Sequence, residues 1–415
     1  RASWLGSPLW LALLIGVPPA LFYAGLASSM ALGTTLACGV IAAQAALAAG
    51  PRRRGVSVQD ICLVAFVALG AHLLIAGLLT RVDLGRAALS GVPLLALIVG
   101  AAGIAQALQR VSPEALKATV RRVLVLLVLC AVVAIAGLVP PSGQVVAKPV
   151  FPFTEPSHFA LVLIPLLLFG CVTSTPRGRL VWVACAMGCA AVLQNLTLFV
   201  GCVLVLLVSL RLWVVAAIFL AGAFAATQVD LSYYLERLDF SDEAENLSTL
   251  VYLQGWQLMD ESWGRTRGWG LGFQQLGAFG TNVPAADAIY LFIKDSLNLL
   301  DGGFTMAKLV SEFGALGVAI VMVYCGIAVH SLRVLRRAAT GAAFDARILF
   351  AHAMVAGFLP EMFVRGLGYF SPTSLLLVSS LMFLYGQRRA AKSASAAAAG
   401  REDRPDAPLE TPAPR

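Results

Sequence analysis

Charge is what this sequence has least of. Asp, Glu, Lys and Arg make up 13% of its 415 residues, against 59% hydrophobic, where a soluble domain carries about 25% charge. That shortage excludes a large water-soluble core and points to a polytopic membrane protein. Histidine is scarcer still, at four residues. The eight cysteines (Cys38, Cys62, Cys130, Cys171, Cys185, Cys189, Cys202 and Cys325) all lie in apolar runs, so neither a disulfide framework nor a zinc spacing is implied. Cys185 and Cys189 share a helix face and read as small apolar side chains packed in a membrane helix. No internal repeat is visible, which weighs against a transporter built from two related halves. The acidic residues show no regular divalent-cation spacing, so no metal and no cofactor is expected. The net charge of +8 sits in short loops, where it carries orientation; nucleic acid is not an expected partner. The first apolar run is followed by further spans and reads as a retained helix rather than a cleaved signal peptide.

What is there is apolar length. Runs long enough to cross a bilayer, about 17 to 25 residues, fall near 8–26, 29–49, 59–79, 88–108, 123–140, 158–174, 180–194, 196–210, 212–228, 306–329, 348–363 and 374–387. The expected fold is all-α, with about twelve transmembrane helices. Gln194 and Asn195 interrupt what would otherwise be one long apolar run. Arg52 to Arg54, the segment Arg110 to Arg122, Arg177 and Arg179, Arg211, the run Arg333 to Arg347, and Arg388-Arg389 all fall on one side. By the positive-inside rule that side is the cytoplasm, and both termini lie there. The chain thus divides into residues 1–228 with nine spans, a loop or cap at 229–305, three spans in 306–387, and a tail at 388–415 whose Ala, Ser, Pro and mixed charge read as disordered.

The segment from Gln228 to Thr305 is the only long polar stretch. It holds 11 of the 22 acidic residues and four of the 30 basic ones, Arg237, Arg265, Arg267 and Lys294. Asn246 to Met259 has the spacing of a short amphipathic helix, with Leu247, Leu250, Val251 and Leu258 on one face and Tyr252 and Trp256 nearby. A glycine-rich irregular stretch from Gly264 to Gly280 precedes a second expected helix near Ala288 to Leu300. The whole reads as a folded cap lying on the membrane surface.

Polar groups also collect at the span ends on the cap's side. Glu155 and His158 open the sixth span, three residues apart. A carboxylate and an imidazole there suit a general base and its orienting partner; a helix-capping carboxylate beside a solvated histidine is the plainer alternative. Lys308 with Glu312, and Glu361 with Arg365, stand at i,i+4 spacing, which allows mutual neutralisation. Ionisable groups in spans are nevertheless costly and usually functional, and the guanidinium of Arg365 suits bidentate phosphate binding. Arg237 stands among Glu236, Asp239, Asp242, Glu243 and Glu245, where it either pairs with them or faces substrate. Arg265 and Arg267 precede Gly268-Trp269-Gly270-Leu271-Gly272-Phe273, whose glycines would let backbone amides approach phosphate. No strand–turn–helix context makes this a dinucleotide site. His72, His330 and His352 read as packed histidines on apolar helices.

The order of the Gly268–Phe273 motif, then Leu297-Asn298-Leu299-Leu300-Asp301-Gly302-Gly303-Phe304, then Lys308-Leu309-Val310-Ser311-Glu312-Phe313-Gly314-Ala315-Leu316-Gly317 resembles the O-antigen polymerase and ligase superfamily. The resemblance runs from Phe153 to Phe370, about half of the chain. Glu155-Pro156-Ser157-His158 and Arg365-Gly366-Leu367-Gly368-Tyr369-Phe370 look closest to its Wzy-type polymerases. Ligases of the group carry a His-Asn pair near the end of the long loop; here the stretch reads Ser296-Leu297-Asn298, without the histidine. The resemblance implies a class C-like glycosyltransferase of the bacterial inner membrane with one long periplasmic loop and no nucleotide sugar. Its substrate would be an undecaprenyl diphosphate-linked oligosaccharide, and its partners membrane lipids and a chain-length regulator protein. Such a reaction needs cations for the leaving diphosphate, for which Arg237, Arg365 and Lys308 are expected, with Arg265 and Arg267 behind them. It needs a base, Glu155 first and His158 second, and sugar-stacking aromatics, Tyr252 and Trp256. A lipid A-core ligase, a lipid-linked oligosaccharide transporter and a non-catalytic assembly partner are the competing readings.

Overall fold

The computed structural model describes residues 9–47, 58–142, 148–227, 246–294, 296 and 298–402. Among them the chain is helical, with no strand beyond an isolated bridge between Val150 and Phe153. The helices are α1 (Leu9–Tyr23), α2 (Met30–Leu47), α3 (Val58–Leu79), α4 (Leu84–Arg110), α5 (Pro113–Ile135), α6 (Pro156–Thr173), α7 (Pro176–Val192), α8 (Leu196–Ser209), α9 (Leu212–Ala226), α10 (Leu247–Thr266), α11 (Pro284–Ile293), α12 (Thr305–Ala339), α13 (Ala346–Gly357), α14 (Leu359–Phe363) and α15 (Pro372–Glu402). Among the described residues, seven segments are long and apolar enough to cross a membrane: α2 to α6, α12, and α13 continued by α14. A bilayer interior offers no water to satisfy backbone groups, so a chain this apolar resolves into helices.

Each expected apolar run has a helix beneath it, but the ends move to where the capping chemistry is. Helix α5 starts at Pro113 rather than 123, because Ser112 accepts a hydrogen bond from Ala115 N and Pro113 takes the first helical position. Thr175 and Pro176 start α7 in the same way. The Gln194-Asn195 interruption is a true turn: Gln194 sits at φ 51° and Asn195 caps α8 through Leu198 N. Helix α15 continues through the Ala-rich segment to Glu402, so the tail does not lose structure at 388 as expected; alanine is the strongest helix former. Residues 403–415 lie outside the described residues.

The core of the bundle is α6, in which every residue from Phe159 to Val172 is buried. Helix α13 packs on it, and α5, α8, α12 and α15 surround the two. Lipid is as apolar as leucine, so close packing rather than hydrophobicity drives helices together in a membrane. Small residues permit that approach. A Cβ at Gly357 of α13 would fall 2.4 Å from Pro165 Cα of α6, and one at Gly201 of α8 would fall 2.2 Å from Ile164 Cδ1.

One end of the bundle is tied by arginines. Arg179 donates to the carbonyls of Ser174, Ser209 and Ala339 at 3.1, 3.0 and 2.8 Å. Arg347 donates to Asp345 and to Gln109 O, and Arg336 to Leu207 O. These are open carbonyls at helix C-termini, where a cation is favoured. The opposite end carries the turn at 194–195, the start of α6 and the cap. There α10 lies against α12, and α11 lies against α10.

Candidate functional site

Glu155 is the N-cap residue of α6, with extended backbone and no side-chain cap bond, so its carboxylate is turned to other partners. Ser157 Oγ donates to Glu155 Oε2 at 2.9 Å, and Arg365 Nη2 donates to the same oxygen at 3.0 Å. His158 Nε2 lies 3.9 Å from it, while His158 Nδ1 is 3.3 Å from Thr154 Oγ1. The side chains of Arg365 and His158 are mostly buried, and that of Glu155 is 41% exposed. Burial alone raises the proton affinity of Glu155, but His158, Arg365 and the Ser157 hydroxyl outweigh it and hold the carboxyl down at about 2.

The expected Glu361–Arg365 pair is not formed. Helix α14 ends at Phe363, so Arg365 lies beyond it and i,i+4 geometry no longer applies. Arg365 instead reaches Glu155, 210 positions away in the sequence. Glu361 Oε1 is 3.1 Å from Ser371 Oγ, which also meets the hydroxyls of Thr373 and Ser374 at 2.9 Å. Of the Arg365 donors, Nε is buried and has no hydrogen-bond partner among the described residues.

The Lys308–Glu312 pair does form, at 3.4 Å, with Lys308 1% and Glu312 0% exposed. Lys308 also lies 3.5 Å from Asp301 Oδ1, donates to Leu300 O, and stands 5.1 Å from the Tyr369 ring centre. Glu312 accepts Gln274 N at 3.0 Å and Leu276 N at 3.4 Å. Lys308 therefore ties the cap to α12. Asp301, which the sequence reading did not single out, joins the two charged groups: it is within electrostatic reach of His158 as well as paired with Lys308. Its signal was the Asp301-Gly302-Gly303-Phe304 order, hidden among the other acidic residues of the long loop.

The glycine motif does something other than offer amides to phosphate. Its Leu271 and Gly272 N–H groups donate to Ser311 O and Glu312 O at 2.9 and 2.8 Å, and Gly268 O accepts Ala315 N at 2.8 Å. It thus fills a break in α12 at Gly314, where φ is 56° and ψ −130°. His72 Nε2, 3.0 Å from Trp269 O, joins α3 to the same loop and packs on Phe313, as a packed histidine should. His352 Nδ1 meets Ser331 Oγ at 2.9 Å, and its ring lies 5.6 Å from that of His330.

Helix α10 runs to Thr266, longer than expected. Tyr252 and Trp256 on it form a ring cluster with Phe304, at centroid distances of 5.1 and 5.7 Å. That places them beside the Asp301 loop, where a Cβ at Gly255 would lie 2.5 Å from Gly302 O. Arg265 pairs with Glu261 at 3.5 Å and lines a separate shallow cleft with Phe279, Thr281 and Asn282. Arg267 is exposed at the left-handed C-cap of α10. Arg237 lies outside the described residues. Helix α11 precedes the expected 288–300 position, because Pro284 starts it and left-handed Lys294 ends it. Among the described residues no group of three or more His, Cys, Asp or Glu side chains is arranged to hold a metal ion.

The arrangement is a line of ionisable groups at one end of the bundle: Arg365, Glu155, His158, Asp301, Lys308 and Glu312. It brings together a guanidinium, carboxylates and an imidazole, with the Tyr252 and Trp256 rings beside the Asp301 loop. No known protein family, curated protein or solved structure matches this chain.

Proposed function

We propose that the chain is a polysaccharide polymerase of the bacterial inner membrane. It moves a growing glycan from undecaprenyl diphosphate onto the sugar hydroxyl of a lipid-linked repeat unit, at the periplasmic face. In this reading all twelve apolar helices cross the bilayer, the arginine-tied end faces the cytoplasm with both termini, and the enzyme is class C-like. The observation that carries it is Arg365: one edge of its guanidinium is held by Glu155, while Nε is buried with no partner among the described residues. A buried donor without a partner is costly, and a diphosphate oxygen supplies that partner while its charge develops on leaving. Glu155 holds that guanidinium, His158 stands beside the two, and Tyr252 and Trp256 offer ring faces to sugars. Arg237, Arg265 and Arg267 remain candidates for contacts farther along the glycan, and Lys308 acts by holding the cap. A chain-length regulator would dock on the same periplasmic side. No nucleotide sugar or metal enters the scheme, because the lipid diphosphate is already an activated leaving group.

The test is chain extension by purified protein supplied with lipid-linked repeat units, read as a ladder on a gel. Wild type is expected to lengthen chains, and Arg365→Ala to lose about 100-fold or more in rate, the scale of removing one charge-stabilising donor. Wild-type protein that leaves single repeats unextended overturns the reading.

A further inference from the structure

Three carboxylates stand in the line, and they are held differently. Glu155 accepts from Ser157 at 2.9 Å and from Arg365 at 3.0 Å on the same oxygen, Oε2, which also faces His158. Glu312 is wholly buried, with two backbone amides and Lys308 on it. Asp301 differs. Its side chain is 48% exposed, and its one ion pair, Oδ1 to Lys308 at 3.5 Å, leaves Oδ2 outside the pair.

The position of Asp301 is fixed by backbone. Asp301 N and Gly302 N both donate to Asn298 O, at 3.2 and 2.8 Å, and Gly303 O accepts Gly366 N at 2.8 Å. That last bond joins its loop to the loop bearing Arg365. A Cβ at residue 368 would come within 2.8 Å of Asp301 Oδ1, so Gly368 leaves the carboxylate its place. The groups facing Asp301 are Lys308, backed by Glu312, from α12; His158 from α6, with Glu155 beyond it; and Tyr369 from the loop after α14.

Resting on the polymerase reading, we propose that Asp301 is the general base for the acceptor hydroxyl, and that Arg365, Glu155 and His158 serve the diphosphate side. The hydroxyl proton passes to the Asp301 carboxylate as the hydroxyl oxygen bonds to the anomeric carbon of the growing chain. The bond from that carbon to the diphosphate oxygen breaks, and its electron pair leaves with undecaprenyl diphosphate. Asp301 returns the proton to water through its exposed edge. Lys308 aims the carboxylate, and a carboxylate met by one ion pair at 3.5 Å is a better acceptor than one hydrogen-bonded by a serine and an arginine at 2.9 and 3.0 Å.

The experiment is chain extension by the full-length protein in lipid nanodiscs, with undecaprenyl diphosphate-linked repeat units, measured across pH. Asp301→Asn is expected to lower kcat by about 100- to 10,000-fold, to leave the donor KM near wild type, and to abolish the acid limb of the pH–rate profile. Asp301→Glu, which keeps a carboxylate, is expected to retain that limb at a reduced rate. Glu155→Gln is expected to raise the donor KM. Asp301→Asn with kcat within about 10-fold of wild type, or with the acid limb intact, overturns the assignment of Asp301 while the polymerase reading stands. Wild type that extends no chains overturns both. Should Asp301→Asn not be recovered folded, Asp301→Glu decides: a retained acid limb at lowered rate supports the base, and an unchanged rate or a lost limb overturns it.

Discussion

At the scale of single residues, the site is built from charges whose partners differ in cost. Glu155 is held near 2 from an ordinary value of 4.5. A depressed carboxylate contributes stability above its unfolded value, and that contribution is lost as pH falls through the folded one. The gap in thermal midpoint between wild type and Glu155→Gln should therefore be constant above about pH 5 and close as pH falls from 4.5 towards 2. A pH-independent gap in a detergent melting series would mean that the Arg365–Glu155 contact is not made. Lys308 lies at the other extreme, buried against Glu312. Lys308→Met leaves a carboxylate unpaired in the interior, and should cost about 3–5 kcal/mol. The double variant Lys308→Met with Glu312→Leu should recover much of that loss in the same melting experiment. Both ion pairs involve residues that stood out in the sequence, but only one joined the partners that helical spacing suggested.

At the scale of elements, the break in α12 decides how the cap is attached. A helix interrupted at Gly314 exposes Ser311 O and Glu312 O, and the Gly268–Gly272 loop supplies their donors. A Cβ at Gly314 would lie 2.0 Å from Gly268 O, at a φ of 56° that side chains disfavour. Gly314→Ala should cost at least about 1–3 kcal/mol and weaken activity by loosening the loop docked on Ser311 and Glu312. Gly326→Ala, on the same helix with open space around it, should be neutral. Equal melting temperatures for the two variants would show that the loop does not dock in the break. The helix starts at Ser112-Pro113 and Thr175-Pro176 carry a cap residue before a proline, but hydropathy alone set those spans at 123 and 180. The docking of the glycine motif was not readable, because its partners are backbone carbonyls, which carry no residue identity.

At the scale of the whole molecule, the arginine-tied end and the charged line stand at opposite ends of the bundle. Positive loops remain cytoplasmic during insertion, so a cysteine placed at Thr281 should react with a membrane-impermeant maleimide in intact spheroplasts. One at Thr340 should react only after permeabilisation. The reverse pattern would invert the proposed topology and put the site on the cytoplasmic side. The eight native cysteines lie in apolar helices, which keeps the labelling background low.

The sequence by itself determined that the chain crosses a membrane, where its apolar helices fall, and which loops gather at the basic end, since hydropathy and charge act locally. It did not determine which helix is central. Helices α3 and α6 are both strongly apolar, at mean hydropathy 2.5 and 1.9, yet 11% of one span and 78% of the other is buried. Lipid and protein interior ask for the same side chains, so hydropathy cannot separate them. Only the tertiary structure set Arg365 against Glu155 and Asp301 between His158 and Lys308, because those contacts depend on where helices end and how loops without periodicity turn.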